Sequence, residues 1–262
     1  MTLTLDSDAT RAYAVLAPAY DLLTAQYAYG PWLDAIERLA LEHGLAGRRL
    51  LDVGCGTGKS FLPMLERGFE VTACDISPDM VELAREKAGS RAEVHVADMR
   101  RLPVFGRFDL ITCLDDAVNH LLSADEVADA LAGLRANLAP GGLLVFDVNT
   151  LAAYRGVPDI VVEDDDTLLR WRGALAELSE PGGEAEVVID VFLHQGDGLW
   201  RRSLSRQRHR HHPVEELREL IEDAGLEVAA VLGQLPGAVL DPDLDEQLHR
   251  KAVFIARREG RP

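Results

Sequence analysis

Glycines stand at every second position of Asp52-Val53-Gly54-Cys55-Gly56-Thr57-Gly58, a run that continues into Lys59-Ser60. Such glycines let a backbone turn tightly and come close to a ligand. The ending Gly-Lys-Ser suggests a triphosphate loop, but that pattern places four residues between its glycines, and Val53 stands where the first is needed. The dinucleotide fingerprint fails as well, because with Gly54 and Gly56 in place its third glycine falls on Lys59. Two acids extend the pattern. Asp75, 21 residues after Gly54, ends an apolar run at a place where an acid can accept both hydroxyls of a ribose, and Asp98 ends the next such run.

These residues need a frame that brings the ends of successive strands to one edge. RLLDV reads as a buried strand, followed by the glycines and a helix through about Glu66. FEVTACD, AEVHVADM, FDLITCLDD and GGLLVFDVN read as strands two to five. SPDMVELAREKA reads as a helix with Ser77 as N-cap and Pro78 at its first position, and DEVADALAGLRANL as another. Strands alternating with helices predict a parallel sheet with right-handed crossovers and helices on both faces. Ligands bind at the carboxyl edge of such a sheet, where Gly54, Asp75 and Asp98 fall.

Ahead of this frame, Tyr13, Tyr20 and Tyr27 recur every seven residues, which sets them on one face if the segment is helical throughout; Pro18 is placed to break it in two. A second helix from Trp32 to His43 closes at Gly44. From about Ala152 to His212 the pattern changes to apolar, partly alternating runs separated by PGG and QGDG, with EDDD at 163–166 as a further turn. These predict antiparallel hairpins. The helix PVEELRELIEDAG, a strand LEVAAVLG, a polar loop and a last strand KAVFIARR then resume the parallel pattern. The expected division is 1–151 for an N-terminal lid and the first part of the core, 152–212 for an antiparallel cap, and 213–262 for the rest of the core.

Composition narrows the partners. The 262 residues are 47% hydrophobic, ample for a core, and 44 acidic side chains against 27 Lys and Arg leave a formal charge of -17. That field repels phosphodiester backbones and anionic lipid heads, so neither nucleic acid nor a membrane is the expected partner. MTLTLDSDAT has no basic region followed by an apolar run, and no apolar segment reaches the roughly 20 residues that span a bilayer, so the expected location is the cytoplasm. Three widely spaced cysteines, Cys55, Cys74 and Cys113, fit neither a disulfide framework nor a zinc site.

The run DVGCGTG, after a buried strand and before a helix, resembles the first motif of class I S-adenosylmethionine-dependent methyltransferases. The resemblance implies a Rossmann-like α/β fold with a seven-stranded, mostly parallel sheet, S-adenosyl-L-methionine as cofactor and S-adenosyl-L-homocysteine as product. The methionine end of that cofactor carries an ammonium and a carboxylate, which suits a loop of Gly54, Cys55, Gly56 and Gly58 beside the acid Asp52. Asp75 with Ile76 is then expected at the ribose, and Asp98 with Met99 at the adenine. Met80 and Leu114 complete the expected contacts. AYAVLAPAYDLL resembles the tyrosine-bearing helix that closes over the cofactor in small-molecule enzymes of this class, CLDDAVNHLL their segment after strand four, and NLAPGGLLVFDV their strand-five entry. The hairpins followed by RHRHHPVEELRELIEDAGLEV resemble the cap of bacterial amine-methylating enzymes, including sugar N-methyltransferases and the glycine and sarcosine enzymes. A small-molecule acceptor, methylated on nitrogen within secondary metabolism, is implied. Oxygen or carbon acceptors are the alternative, followed by RNA or protein.

Methyl transfer from a sulfonium is an in-line displacement with an activated leaving group, so holding the two centres close and aligned supplies most of the catalysis. His120, beside Asn119 and downstream of Asp115 and Asp116, is the expected base if one is used; its other reading is a histidine packed under the cap. Tyr13 and Tyr20 either cover the sulfonium with their faces and hydroxyls or pack as ordinary helix residues. In WRRSLSRQRHRHH, alternation sets Arg202, Arg206, Arg208 and Arg210 on one face, to grip an anionic acceptor or to pair with nearby acids. Adjacent histidines on a strand point to opposite faces, so His209, His211 and His212 do not predict a metal site. Long hairpins expose edges that association can cover, so a homodimer joined through the cap is also expected.

Overall fold

The computed structural model describes residues 8–27, 29–155, 159–173 and 180–260. Its first half holds α1 (Asp8–Leu23), α2 (Tyr29–Glu42), β1 (Arg49–Val53), α3 (Leu62–Glu66), β2 (Glu70–Asp75), α4 (Pro78–Ala88), β3 (Ala92–Val96), β4 (Phe108–Cys113), α5 (Ala124–Asn137) and β5 (Leu138–Asn149). After α6 (Leu151–Tyr154) come β6 (Ile160–Glu163), β7 (Thr167–Gly173), β8 (Glu184–His194) and β9 (Trp200–Arg210). The chain closes with α7 (Val214–Asp223), β10 (Glu227–Leu235), β11 (Val239–Asp241) and β12 (Lys251–Arg257).

Two sheets form. The larger runs β11-β10-β12-β5-β4-β1-β2-β3, and the smaller β6-β7-β8-β9. Strands β1 to β5 pair in parallel as expected, because each is separated from the next by a crossover. The closing strands differ from the expectation: β12 lies antiparallel between β5 and β10, and β11 adds an eighth strand at the edge. The reason is the connection. No helix separates β10 from β12, so the chain returns as a hairpin rather than a crossover.

Side-chain alternation divides the core between the two faces of the large sheet. Leu50, Leu110 and Val145 face Trp32, Leu33 and Ile36 of α2 and Val81 and Ala84 of α4. Leu51, Ile111 and Leu144 face Val127, Leu131 and Leu134 of α5 and Leu217 and Ile221 of α7. Phe146 and Phe254 stack across β5 and β12 with ring centroids 4.9 Å apart. Each fully buried Leu, Ile or Phe here contributes about 1.5–3 kcal/mol, which holds the carboxyl edge of the sheet rigid.

The four-stranded sheet sits over that edge through α1. Leu16 and Ala19 pack against Leu169, Val187, Ile189 and Val191 of the small sheet. Pro18 does not break this helix, which runs through it to Leu23. Proline removes one helical hydrogen bond, and the burial of Leu16, Ala17 and Ala19 on either side outweighs that loss. The turn at 164–166 joins β6 to β7 as the EDDD run predicts. No helix among the described residues is long and apolar enough to cross a membrane.

Candidate active site

The glycine loop leaves the carboxyl end of β1 with positive φ at Gly54, Gly56 and Gly58. Gly54 has the strictest requirement: its φ is 74°, and a Cβ there would lie 3.0 Å from the Cβ of Ala117. Asp75 braces the loop from β2. Its Oδ2 accepts from the Gly56 N–H and its Oδ1 from the Ser77 N–H, both at 2.9 Å. Burial raises the Asp75 pKa, and these N–H groups oppose the rise. Ser77 caps α4, accepting from the Met80 N–H at 3.4 Å.

A cavity of about 200 Å³ opens at this edge. Gly54, Cys55 and Gly56 line it from the loop, Asp75 and Ile76 from the end of β2, Asp98 and Met99 from beyond β3, and Leu114 from beyond β4. Tyr13 and Tyr20 of α1 and His120 close it. Asp52, Gly58 and Met80 lie outside its wall. Asp52 is 1% exposed and accepts from Ser60 Oγ and Thr112 Oγ1, which locks β1, β4 and the loop together. Burial pushes its pKa up to about 6 against the pull of those hydroxyls. Met80 is wholly buried in α4.

Two cations in the wall are already engaged. Lys59 belongs to the turn before α3 rather than to a helix, and its Nζ reaches back to α1, donating to Thr24 Oγ1 at 2.6 Å and Asp21 O at 3.2 Å. Arg100, which the sequence did not single out, grips both oxygens of Asp98 and reaches Glu126 Oε1 at 2.8 Å. Carboxylates, phenols, an imidazole, the Ser60 hydroxyl and the Cys55 thiol make up the rest of the polar wall. That donor set fits a cationic ligand carrying hydroxyls, as S-adenosylmethionine does, and does not fit a triphosphate.

Tyr13, Tyr20, Tyr29 and Asp115 belong to a wall shared with a second cavity of about 360 Å³. Its floor carries Asp116 and Lys251, and its roof carries Trp171, Val187, Gln207 and His209 from the small sheet. Asp115 and Asp116 take left-handed φ of 59° and 56°, a conformation that Asp tolerates better than most residues. Their N–H groups donate to Asp147 at 2.9 and 2.8 Å. Lys251 Nζ lies 2.7 Å from Asp147, 3.3 Å from Asp116 and 3.6 Å from Asp115. Burial raises the pKa of Asp115 and Asp116 while Lys251 opposes it; burial alone would discharge Lys251, but the three carboxylates outweigh it and raise its pKa.

Tyr13 Oη lies 2.9 Å from His120 Nε2, and the His120 ring stands edge-on to His209 with centroids 4.4 Å apart. Burial, reinforced by His209, pushes the His120 pKa down to about 3. Burial raises the pKa of Tyr13, Tyr20 and Tyr29, so at neutral pH the shared wall presents neutral phenols beside Asp115, with the neutral His120 imidazole next to it in the first cavity. Tyr27, which the spacing set on one face with Tyr13 and Tyr20, lines only the second cavity and is 63% exposed, because α1 ends at Leu23 and the seven-residue spacing ends with it; Tyr29 joins the shared wall.

The arginines of β9 do not reach either cavity. Arg202 pairs with Asp190, Arg206 with Glu186, Arg208 with Glu184 and Arg210 with Glu216. His212 meets Leu121 O at 2.9 Å and His211 meets Glu246 Oε1 at 3.2 Å. Among the described residues no group of three or more His, Cys, Asp or Glu side chains is arranged to hold a metal ion. The three cysteines are buried and unpaired, and burial raises their pKa, so they pack as thiols.

Residues 50–142 match a family described as a methyltransferase domain. The chain is 30% identical over 227 residues to YqeM of Bacillus subtilis (strain 168), whose name assigns it provisionally to the methyltransferases; the match covers 84% of this chain and 88% of that one. Among solved structures it is similar to an S-adenosylmethionine-dependent methyltransferase from Clostridium acetobutylicum, with a TM-score of 0.77 at 22% identity over 95% of this chain and 99% of that one. It is also similar to CalS10, an amino pentose methyltransferase from Micromonospora echinaspora, with a TM-score of 0.68 at 26% identity over 93% of this chain and 96% of that one.

Proposed function

The chain belongs to the S-adenosylmethionine-dependent methyltransferases, and from that premise we propose that it methylates an amine nitrogen of a small molecule held in the second cavity. One observation carries this reading: the two cavities meet at a single wall of Tyr13, Tyr20, Tyr29 and Asp115. A methyl group crossing that wall passes from one cavity to the other. The likeness to an amino pentose methyltransferase supports an amine acceptor.

When bound, S-adenosylmethionine supplies a methyl group on a positively charged sulfur. The residues of the first cavity would hold it: Asp75 would offer its remaining lone pairs to the ribose hydroxyls, Asp98 and Met99 would meet the adenine, and the loop at Gly54 and Gly56 would take the methionine end. Tyr13 and Tyr20 would cover the sulfonium, and the Tyr20 phenol, which lines both cavities, would orient the incoming nitrogen. Asp115 and Asp116 attract the amine in its ammonium form. It must lose one proton for its lone pair to attack, and the Asp115 and Asp116 carboxylates, whose pKa burial raises, are the groups placed to take it. His120 has its Nε2 engaged by Tyr13, and burial disfavours its protonated form, which supports a positioning role for it over that of base. The segment 152–212 acts as the cap that closes the acceptor site.

The test is incubation with S-adenosylmethionine and a mixture of small primary amines, read by mass spectrometry. A methylated amine formed in step with S-adenosylhomocysteine is the expected result. Calorimetric binding of ATP with no response to either adenosyl compound would overturn the proposal.

A further inference from the structure

Gln207 and His209 stand two residues apart on β9, so both side chains leave the same face of the small sheet. Gln207 is 2% exposed and His209 4% exposed, and both line the second cavity. Neither amide atom of Gln207, nor Nε2 of His209, has a hydrogen-bond partner among the described residues. Buried polar atoms in native proteins are nearly always paired, and one left unpaired is destabilising. Ser205, on the same face, also has a buried, unpartnered Oγ, but it does not line the cavity. Tyr154 Oη is likewise buried and unpartnered in a residue of this cavity's wall; Gln207 and His209 share one strand face, and both belong to the wall of a space large enough for a ligand.

The pair has a definite chemistry. His209 Nδ1 lies 4.0 Å from Asp116 Oδ2, and the neutral ring offers one donor and one acceptor nitrogen. Gln207 adds a second acceptor, Oε1, and one donor group, Nε2. A hydroxyl satisfies such a set because it donates and accepts at once. Leu16, Val187 and Trp171 supply apolar walls for a carbon skeleton. Asp115 and Asp116 sit at the end of the cavity where the nitrogen must lie to face the sulfonium.

We propose that Gln207 and His209 read a hydroxyl carried on the carbon next to the acceptor nitrogen, so that the acceptor is an amino alcohol rather than a plain alkyl amine. The inference rests on the second cavity being the acceptor site. A plain amine entering it would displace water and leave the polar atoms of Gln207 and His209 unpaired, which is the way sites built for a hydroxyl reject analogues that lack it.

The full chain, saturated with S-adenosylhomocysteine, is titrated calorimetrically with trans-2-aminocyclohexanol and with cyclohexylamine, which differ only in the hydroxyl. The amino alcohol is expected to bind at least about tenfold more tightly. Gln207→Leu and His209→Leu each reduce that ratio, and the double substitution brings it to one. Circular dichroism checks that the variants fold, and the wild-type ratio is decisive by itself should they not. Equal binding of the two amines, no binding of the amino alcohol, or a ratio unchanged in the folded double variant overturns the inference while leaving the cofactor site standing. Failure of S-adenosylhomocysteine itself to bind overturns the methyl-transfer reading and this inference with it.

Discussion

Lys251 Nζ lies 2.7 Å from Asp147 Oδ1 and so ties β12 to β5 directly beneath the two left-handed aspartates. Asp147 is wholly buried and also accepts both backbone N–H groups of Asp115 and Asp116. This ion pair therefore sets the shape of the wall between the cavities. Lys251→Met leaves a buried carboxylate without its cation and should lower stability by about 3–5 kcal/mol. Urea unfolding measures it; a loss below about 1 kcal/mol would mean that solvent already reaches Asp147. Asp147→Leu should cost no less, because it also unpairs two backbone donors.

Tyr13 and His120 join α1 to the turn after β4 through their 2.9 Å hydrogen bond. Tyr13→Phe keeps the ring and removes the hydroxyl, so stability should fall by about 1 kcal/mol. If α1 must hold its geometry for transfer, turnover should fall about tenfold or more while S-adenosylhomocysteine affinity stays nearly constant. A parallel loss of affinity would instead place the hydroxyl in cofactor binding.

Asp75 braces the glycine loop and lines the first cavity, where it is proposed to hold the ribose. Asp75→Ala should weaken calorimetric binding of S-adenosylhomocysteine by about a hundredfold, the loss of two charge-assisted hydrogen bonds. ATP should bind neither protein. Unchanged affinity in the variant would remove Asp75 from the cofactor site.

His209 is 4% exposed, and burial, reinforced by Lys251, pushes its pKa from 6.5 down to about 4. Below pH 6.5 the unfolded chain takes up a proton that the folded protein refuses until about pH 4, so the folded state loses stability as pH falls through that window. Between pH 7.5 and pH 5 this group alone should cost about 2 kcal/mol. His209→Leu should lose correspondingly less over the same interval in urea titrations. Parallel pH profiles for the two proteins would show that His209 titrates alike in the folded and unfolded states.

Much of the first cavity's wall was legible because its determinants are local. Glycine spacing in the loop, an acid at the end of β2 and another beyond β3 all follow from short runs with a strand period, and the parallel topology then brings them to one edge. Asp52 shows the limit of such reading. The same run that places it beside the loop also buries it, and only the contact with Thr112, 60 positions away, reveals its bolting role.

The sequence by itself determined the α/β class, the parallel order of β1 to β5 and the position of the loop, since hydrophobic period and turn chemistry act within about ten residues. Tertiary structure alone decided the second cavity. Lys251 and Asp147 are 104 positions apart, Tyr13 and His120 are 107 apart, and no local pattern couples them. The direction of β12 decided where Lys251 lands, and the pleat of β9 turned the arginines outward while sending Gln207 and His209 inward. Spacing specifies which residues share a face, but which face meets the ligand is settled only when the sheet packs.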